Sequence, residues 1–371
     1  MFSEIDARHM TRALKLAARG LLTTRPNPRV GCVIVNDGQV VGEGAHLKAG
    51  EPHAEVHALR AAGDAARGAT AYVTLEPCSH YGRTPPCAEA LINAGVARVV
   101  AAMVDPNPQV AGRGLKMLQD AGIEVQHGLL QADAEALNPG FIKRMRTGFP
   151  LVRIKIAASV DGRTALANGA SQWITGPKAR QDVQRLRAQS DAIITGTDSV
   201  LADDPSMNVR HGELGHWQAQ VAAAELQQPL RVVIDGRNRL APPLQLLQCP
   251  GDILLASTGE YECDWPAAVS TWRSAPRDGK VDLIMLMMEL GKRGINEVLV
   301  EAGSNLAGAF ISAELWDEII LYQAPKLMGN PARGLLELPE FTRMTDAVSL
   351  QFNDVRLVGG DLRLTLTRRE R

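Results

Sequence analysis

Two successive runs of alternating helical and strand periodicity, broken once near residue 148, constrain this chain of 371 residues more than any other feature. An apolar-periodic helix over 5–19 ends at Gly20, and strand patterns at 30–35 and 39–43 flank Asn36-Asp37-Gly38. That triplet is a hairpin signature, because Asn and Gly tolerate the positive φ of a tight turn. A helix over 54–62, a strand over 70–75, a helix over 88–93, a strand over 98–103, a helix over 114–120 and a strand over 123–126 follow. The pattern predicts a layered α/β domain.

At Arg146-Thr147-Gly148-Phe149-Pro150 the alternation breaks, and a strand over 151–158 opens a second series. It comprises a helix over 177–189, strands over 192–195, 230–234 and 253–256, a helix over 281–293 and a strand over 297–300. Strands over 319–324, 350–358 and 362–366 close the chain, and the last two, with no helix between them, should pair antiparallel. Residues 1–148 and 149–371 are therefore read as two α/β domains, with 211–228 as a surface insertion.

Lys plus Arg number 40 against 41 Asp plus Glu, and residues 1–149 hold 16 basic and 14 acidic side chains. Neither part is the basic surface that a nucleic-acid partner requires. The longest apolar runs, 99–104 and 283–288, fall far short of the roughly 18 residues needed to span a bilayer. Glu4, Asp6, Arg8 and His9 interrupt any secretory apolar core at the N-terminus. Five cysteines, an odd number, point to thiols or metal ligands rather than a disulfide framework. A soluble cytoplasmic protein is expected.

Chemistry concentrates in Pro52-His53-Ala54-Glu55, followed by Glu76-Pro77-Cys78 and Cys87. One imidazole and two thiolates suit a borderline-soft tetrahedral ion, and three protein ligands leave the fourth position to water, the catalytic zinc count. Residues two apart in an ideal helix project about 200° from one another. His53 and Glu55 can therefore share a site only if His53 stands at the helix boundary, which Pro52 favours. Glu55 would then lie beside the water rather than on the metal, placed to take its proton and deliver it to a leaving amine.

His-x-Glu followed by Pro-Cys is the zinc deaminase signature, with one departure: eight residues, Ser79 to Pro86, separate the cysteines where the general signature has two. His57 could face the same way as His53, but a fourth protein ligand would close the water position, so it is read as a packing or solvent residue. Cys32, Cys249 and Cys263 have no partner at ligand spacing and are read as structural.

The segment Cys78-Ser79-His80-Tyr81-Gly82-Arg83-Thr84-Pro85-Pro86-Cys87, with His53-Ala54-Glu55 and Pro26-Asn27-Pro28, resembles the bifunctional deaminase/reductase family of riboflavin biosynthesis. The long spacing between the cysteines is what that family has. The resemblance continues through Asp105-Pro106-Asn107-Pro108, residues 155–164, Ser171-Gln172-Trp173-Ile174-Thr175, Asp203-Asp204-Pro205 and Glu301-Ala302-Gly303.

The resemblance implies a cytidine-deaminase-like three-layer N-terminal domain that uses zinc to deaminate a diaminopyrimidinone ribosylamino 5′-phosphate. It further implies a dihydrofolate-reductase-like α/β domain that uses NADPH to reduce the ribosyl group to ribityl. On the same implication Glu55 relays the proton, His53, Cys78 and Cys87 hold the zinc, and Asn27, His46, His80, Arg83, Thr84, Asp105 and Asn107 hold the deaminase substrate. Lys155, Ser171, Arg187, Met207, Arg210 and Glu301 would line the reductase substrate site, with Arg187 and Arg210 as phosphate partners. Ala157, Trp173, Ser199, Asp203, Gly236, Gly303, Ser304 and Asn305 would face NADPH, and Arg237 its 2′-phosphate.

Residue chemistry alone is weaker in the second domain. Residues 298–306 read as strand, glycine turn and helix start, whose free N–H groups can bind a cofactor phosphate. The spacing Gly-x-Gly-x-x-Gly is missing, which excludes a Rossmann reading. Asp203 and Asp204 could equally form a solvated acidic turn before Pro205. Two rival functions remain, a zinc deaminase of nucleosides or tRNA and a structural zinc scaffold. The cysteine spacing and near-neutral charge oppose the first, and Glu55 opposes the second. The expected partner is a small phosphorylated pyrimidine, with no nucleic acid and no membrane; a homo-oligomer is left open.

Overall fold

The computed structural model describes residues 2–81, 85–108 and 110–369. The chain divides into two compact units, Met1–Gly148 and Phe149–Arg371. In the first, helix α1 (Glu4–Ala17) starts from a capping box: Ser3 Oγ accepts the Asp6 N–H at 3.1 Å, and Asp6 Oδ2 accepts the Ser3 N–H at 2.8 Å. Hairpin strands β1 (Gly31–Asn36) and β2 (Gln39–Ala45) follow, turning through Asp37 and Gly38, both at positive φ. Next come α2 (Ala54–Ala62), β3 (Thr70–Val73), α3 (Cys87–Asn93), β4 (Arg98–Ala101), α4 (Arg113–Asp120), β5 (Glu124–His127), α5 (Gln131–Leu137) and α6 (Pro139–Thr147).

The five strands form one sheet in the order β2-β1-β3-β4-β5, antiparallel at β2/β1 and β1/β3 and parallel at β3/β4 and β4/β5. Two glycines fix how helices lie on it. A Cβ on Gly31 would stand 2.0 Å from the Ala13 carbonyl oxygen of α1, and one on Gly44 would stand 2.0 Å from the Ala54 oxygen of α2. Gly44 pairs with Cys32, the neighbour of Gly31, so the two glycines face opposite sides of the sheet. Helices α1 and α2 therefore sandwich the sheet, giving the three-layer architecture. The inner strands β3 and β4 are near-continuously buried, as strands covered on both faces must be.

The second unit begins with β6 (Leu151–Ser159) and β7 (Arg163–Ala165), then α7 (Pro177–Gln189), β8 (Ala192–Gly196), α8 (Thr197–Asp203), β9 (Leu230–Ile234), β10 (Ile253–Ser257) and β11 (Val269–Arg273). It continues through the short pair β12 (Pro276–Arg277) and β13 (Lys280–Val281), α9 (Leu283–Lys292), β14 (Glu297–Glu301), α10 (Ser304–Ser312), β15 (Glu318–Ala324), β16 (Arg333–Gly334), β17 (Leu350–Val358) and β18 (Asp361–Arg368). Nine strands form one sheet in the order β11-β10-β9-β8-β14-β6-β15-β18-β17. It is parallel from β11 to β15 and antiparallel at β15/β18 and β18/β17. Along β6 the side chains alternate: Ile154 and Ile156 enter the main core, while Arg153, Lys155 and Ala157 share the other face and are half-buried.

Eight of these elements lie outside the sequence expectation: helices α5, α6 and α8, strand β11, and the short strands β7, β12, β13 and β16. Residues 211–228 form short 3₁₀ turns without a strand, yet Leu214 and Val221 are buried, so the insertion is anchored rather than purely superficial. No helix among the described residues is long and apolar enough to cross a membrane.

Candidate active sites

Three side chains from separate elements meet in the first unit. His53 is the N-cap of α2 in extended backbone (φ −74°, ψ 167°), so its side chain leaves the helical course and shares a site with Glu55 of the first turn. Cys78 lies in the turn after β3, and Cys87 is the first residue of α3. Cys87 Sγ stands 3.3 Å and Cys78 Sγ 3.7 Å from His53 Nδ1, and all three donor atoms lie within 4.8 Å of one another. A tetrahedral ion with ordinary zinc–sulfur and zinc–nitrogen bonds sets sulfur and nitrogen roughly 3.5 Å apart. The donor set therefore fits zinc. His57 is not part of the cluster, which agrees with an open fourth position.

Electrostatics favour the same assignment. The Cys87 N–H donates to Cys78 Sγ at 3.3 Å, placing that sulfur at the start of α3. The Cys87 thiol's hydrogen bond holds Cys78 down at about 4 against burial, with His53 assisting, while the same bond and burial push Cys87 up. A bound dication would hold both sulfurs as thiolates. Burial pushes Glu55 up to about 7, with the Cys78 charge adding to the rise and His53 opposing it. Glu55 is 3% exposed.

Around this centre Asn27 Nδ2 donates to His46 Nε2 at 3.0 Å, while His46 Nδ1 donates to the Pro52 carbonyl at 3.2 Å. This assigns His46 the neutral Nδ1–H tautomer, and burial, the largest influence, lowers its pKa. Asp105 is half-buried, its pKa raised first by burial, and its Oδ1 accepts the Asn107 N–H at 2.8 Å. His80 is exposed. Arg83 and Thr84 lie outside the described residues.

In the second unit Lys155 of β6 and Glu301 of β14 are register partners, and Lys155 Nζ stands 3.4 Å from Glu301 Oε2. Arg187 of α7 grips the same carboxylate with Nε at 2.6 Å and Nη2 at 3.1 Å, while its Nη1 donates to the Asn208 carbonyl at 3.1 Å. Burial would raise Glu301, but Arg187 and then Lys155 outweigh it and hold the acid at about 2. Arg187 thus orients Glu301 directly. Arg210 is exposed and forks onto Glu213 at 2.6 and 2.9 Å. Met207 is buried at positive φ, and Ser171 is half-buried.

Ala157 follows Lys155 on the same face of β6. Trp173 is 63% exposed, with the Arg180 guanidinium 4.6 Å over its ring and Lys326 Nζ 2.8 Å from its carbonyl oxygen. Gln172 Nε2 reaches Asp203 Oδ1 at 3.4 Å, which links Asp203, the last residue of α8, to the Trp173 segment. Ser199 is half-buried in α8, Gly236 accepts the Thr258 hydroxyl at 2.6 Å, and Arg237 is exposed. Gly303 is the N-cap of α10; no side chain caps that helix, and nothing lies within 4 Å of where a Gly303 Cβ would be. The N–H groups at Ser304 and Asn305 head an open helix start, which fits a cofactor phosphate.

Three organising acids escaped the sequence reading. Asp235, fully buried, accepts from Thr197 Oγ1, the N–H groups of Arg239 and Leu240, and Tyr261 Oη at 2.8–3.0 Å. Asp161 accepts the N–H groups of Met328 and Gly329. Glu76, noted only as part of the cysteine motif, accepts backbone N–H groups from the segment after β4. Apart from the Arg239 and Leu240 N–H groups, which are local to Asp235, these donors are remote in sequence, and no local pattern signals them.

Residues 3–103 match the cytidine and deoxycytidylate deaminase zinc-binding region, and residues 150–364 match the RibD C-terminal domain. Riboflavin biosynthesis protein RibD of Escherichia coli is 59% identical over 362 residues, covering 97% of this chain and 99% of that protein. The Haemophilus influenzae protein of the same name is 52% identical, covering 99% and 98%. Acinetobacter baumannii RibD superposes with a TM-score of 0.91 at 47% identity, over 99% of each chain. A Thermotoga maritima diaminohydroxyphosphoribosylaminopyrimidine deaminase/5-amino-6-(5-phosphoribosylamino)uracil reductase gives 0.86 at 30% identity, again over 99% of each. The chain belongs to the RibD family, the bifunctional zinc-dependent deaminases and NADPH-dependent reductases of riboflavin biosynthesis.

Proposed function

We propose that residues 1–148 hydrolytically deaminate a diaminopyrimidinone ribosylamino 5′-phosphate and that residues 149–371 then reduce its ribosyl group to ribityl. The observation that carries the first half is the meeting of His53, Cys78 and Cys87 beside a buried acid that is not a ligand. A bound zinc supplies Lewis acidity that makes water a nucleophile near neutral pH. Glu55 supplies the proton traffic: buried at the start of α2, it accepts a proton on its carboxylate and returns it to the departing amine. His46 fixes the Asn27 amide, and Asn27, Asp105 and Asn107 form the substrate-binding side with His80, Arg83 and Thr84.

For the second half, NADPH supplies the reducing equivalent when bound. Glu301, kept ionised by Arg187, orients Lys155 Nζ at 3.4 Å for contact with the substrate. Ser171, Met207 and Arg210 line the substrate side, while Ala157, Trp173, Ser199, Asp203, Gly236 and the Gly303–Asn305 turn face the cofactor. The same reading places the enzyme in the cytoplasm, acting on a small phosphorylated pyrimidine without nucleic acid or membrane. It is tested by comparing ammonia release from that phosphate with release from free cytidine and from tRNA. Turnover of either alternative at the rate of the pyrimidine phosphate overturns the assignment.

A further inference from the structure

Glu76 stands two residues before Cys78 and is 3% exposed. Its carboxylate accepts from the Asp105 and Gly112 N–H groups on Oε2, at 3.0 and 2.9 Å, and from the Gly114 and Leu115 N–H groups on Oε1, at 2.8 and 3.4 Å. Gly112 is the N-cap of α4, and no side chain of its own segment caps that helix. A carboxylate from the metal-ligand turn therefore does the capping, with its charge at the positive end of the helix. The same turn is pressed against α4, since a Cβ on Gly114 would lie 1.9 Å from the Pro77 carbonyl oxygen. The Glu76 N–H also donates to the Met103 carbonyl at 2.9 Å. One side chain thus ties the turn bearing Cys78 to the segment bearing Asp105 and Asn107.

We infer that Glu76 is a positioning residue of the deaminase centre, which holds the Asp105–Asn107 segment in register with the metal-ligand turn. The inference rests on the deaminase reading above. Four backbone donors on one carboxylate leave no place for an amide side chain, whose NH2 would point at other donors. In Glu76→Gln only one end can still accept. The Gly114 side is fixed by the Pro77 contact, so the Asp105 and Gly112 donors lose their acceptor.

The test is Glu76→Gln in the zinc-loaded full chain, followed by amide hydrogen exchange, metal analysis and steady-state deamination. Exchange at Asp105 and Gly112 is expected to rise at least 100-fold while α3 amides hold, with one zinc per chain retained. KM for the pyrimidine phosphate should rise at least tenfold with kcat within threefold, and NADPH oxidation by the deaminated intermediate should be unchanged. A merely structural role would not split KM from kcat. A folded variant with exchange and KM within twofold of the parent overturns the inference, as does loss of zinc with protection at Asp105 intact. If the variant does not fold, the parent decides: Asp105 and Gly112 amides exchanging at free-loop rates overturn it, and at least 100-fold protection supports it. Failure of the parent chain to release ammonia strikes the deaminase reading instead, and the exchange comparison still decides whether Glu76 holds the segment.

Discussion

Replacing Arg187 by Met removes the guanidinium that grips Glu301 and leaves Lys155 as the remaining cation at 3.4 Å. Glu301 is held at about 2 against an ordinary 4.5, and its side chain is only 11% exposed. That depression of about 2.5 pH units, at 1.36 kcal/mol per unit, amounts to about 3 kcal/mol of stability. It agrees with the roughly 3–5 kcal/mol lost when one partner is stripped from a buried ion pair. All five tryptophans, at positions 173, 217, 265, 272 and 316, lie in the second unit, so urea unfolding followed by tryptophan fluorescence reports that unit alone.

At pH 7 the variant should lose about 3 kcal/mol, a midpoint shift of roughly 1–3 M urea. The sign of the pH dependence follows from the lowered acid. Stability from ionised Glu301 is fully present above 4.5 and is lost as pH falls through about 2, so the gap between parent and variant should narrow to about half by pH 3. A gap below about 1 kcal/mol at pH 7, or one that does not change between pH 7 and pH 3, refutes the ion-pair reasoning.

Glu55→Gln should retain zinc by metal analysis yet lose ammonia release by roughly 10²–10⁴-fold, the usual contribution of a positioned acid–base group. Its NADPH oxidation with the deaminated intermediate should be normal, and wild-type deamination in this variant would remove Glu55 from the mechanism. Asp203→Ala should spare deamination and slow the NADPH-dependent step, through loss of the contact between α8 and the Trp173 segment. A normal reductase rate at limiting NADPH would take Asp203 off the cofactor face.

The site was legible where chemistry and local geometry coincide. Pro52 marks the boundary that puts His53 outside α2, which is why His53 and Glu55, two apart, reach one centre. The order of helices and strands followed apolar periodicity, as in α7, whose limits match the sequence reading residue for residue. What could not be read depends on partners remote in sequence. Arg187 is 114 residues from Glu301, Glu76 takes donors from residues 105–115, and Asp235 gathers donors from Thr197 to Tyr261. Helix α5 was missed because it has only seven residues, follows a residue at positive φ and leads directly into Pro139. Helix α8 is equally short, and its apolar stripe amounts to little beyond Val200.

Bifunctionality is tested most directly by incubating the full chain with the diaminopyrimidinone ribosylamino phosphate, with and without NADPH, while following ammonia and 340 nm absorbance separately. Ammonia should appear in both reactions, with absorbance falling only where NADPH is present and only after deamination has begun. Loss of absorbance without ammonia, or ammonia that requires NADPH, would contradict two successive activities on one chain.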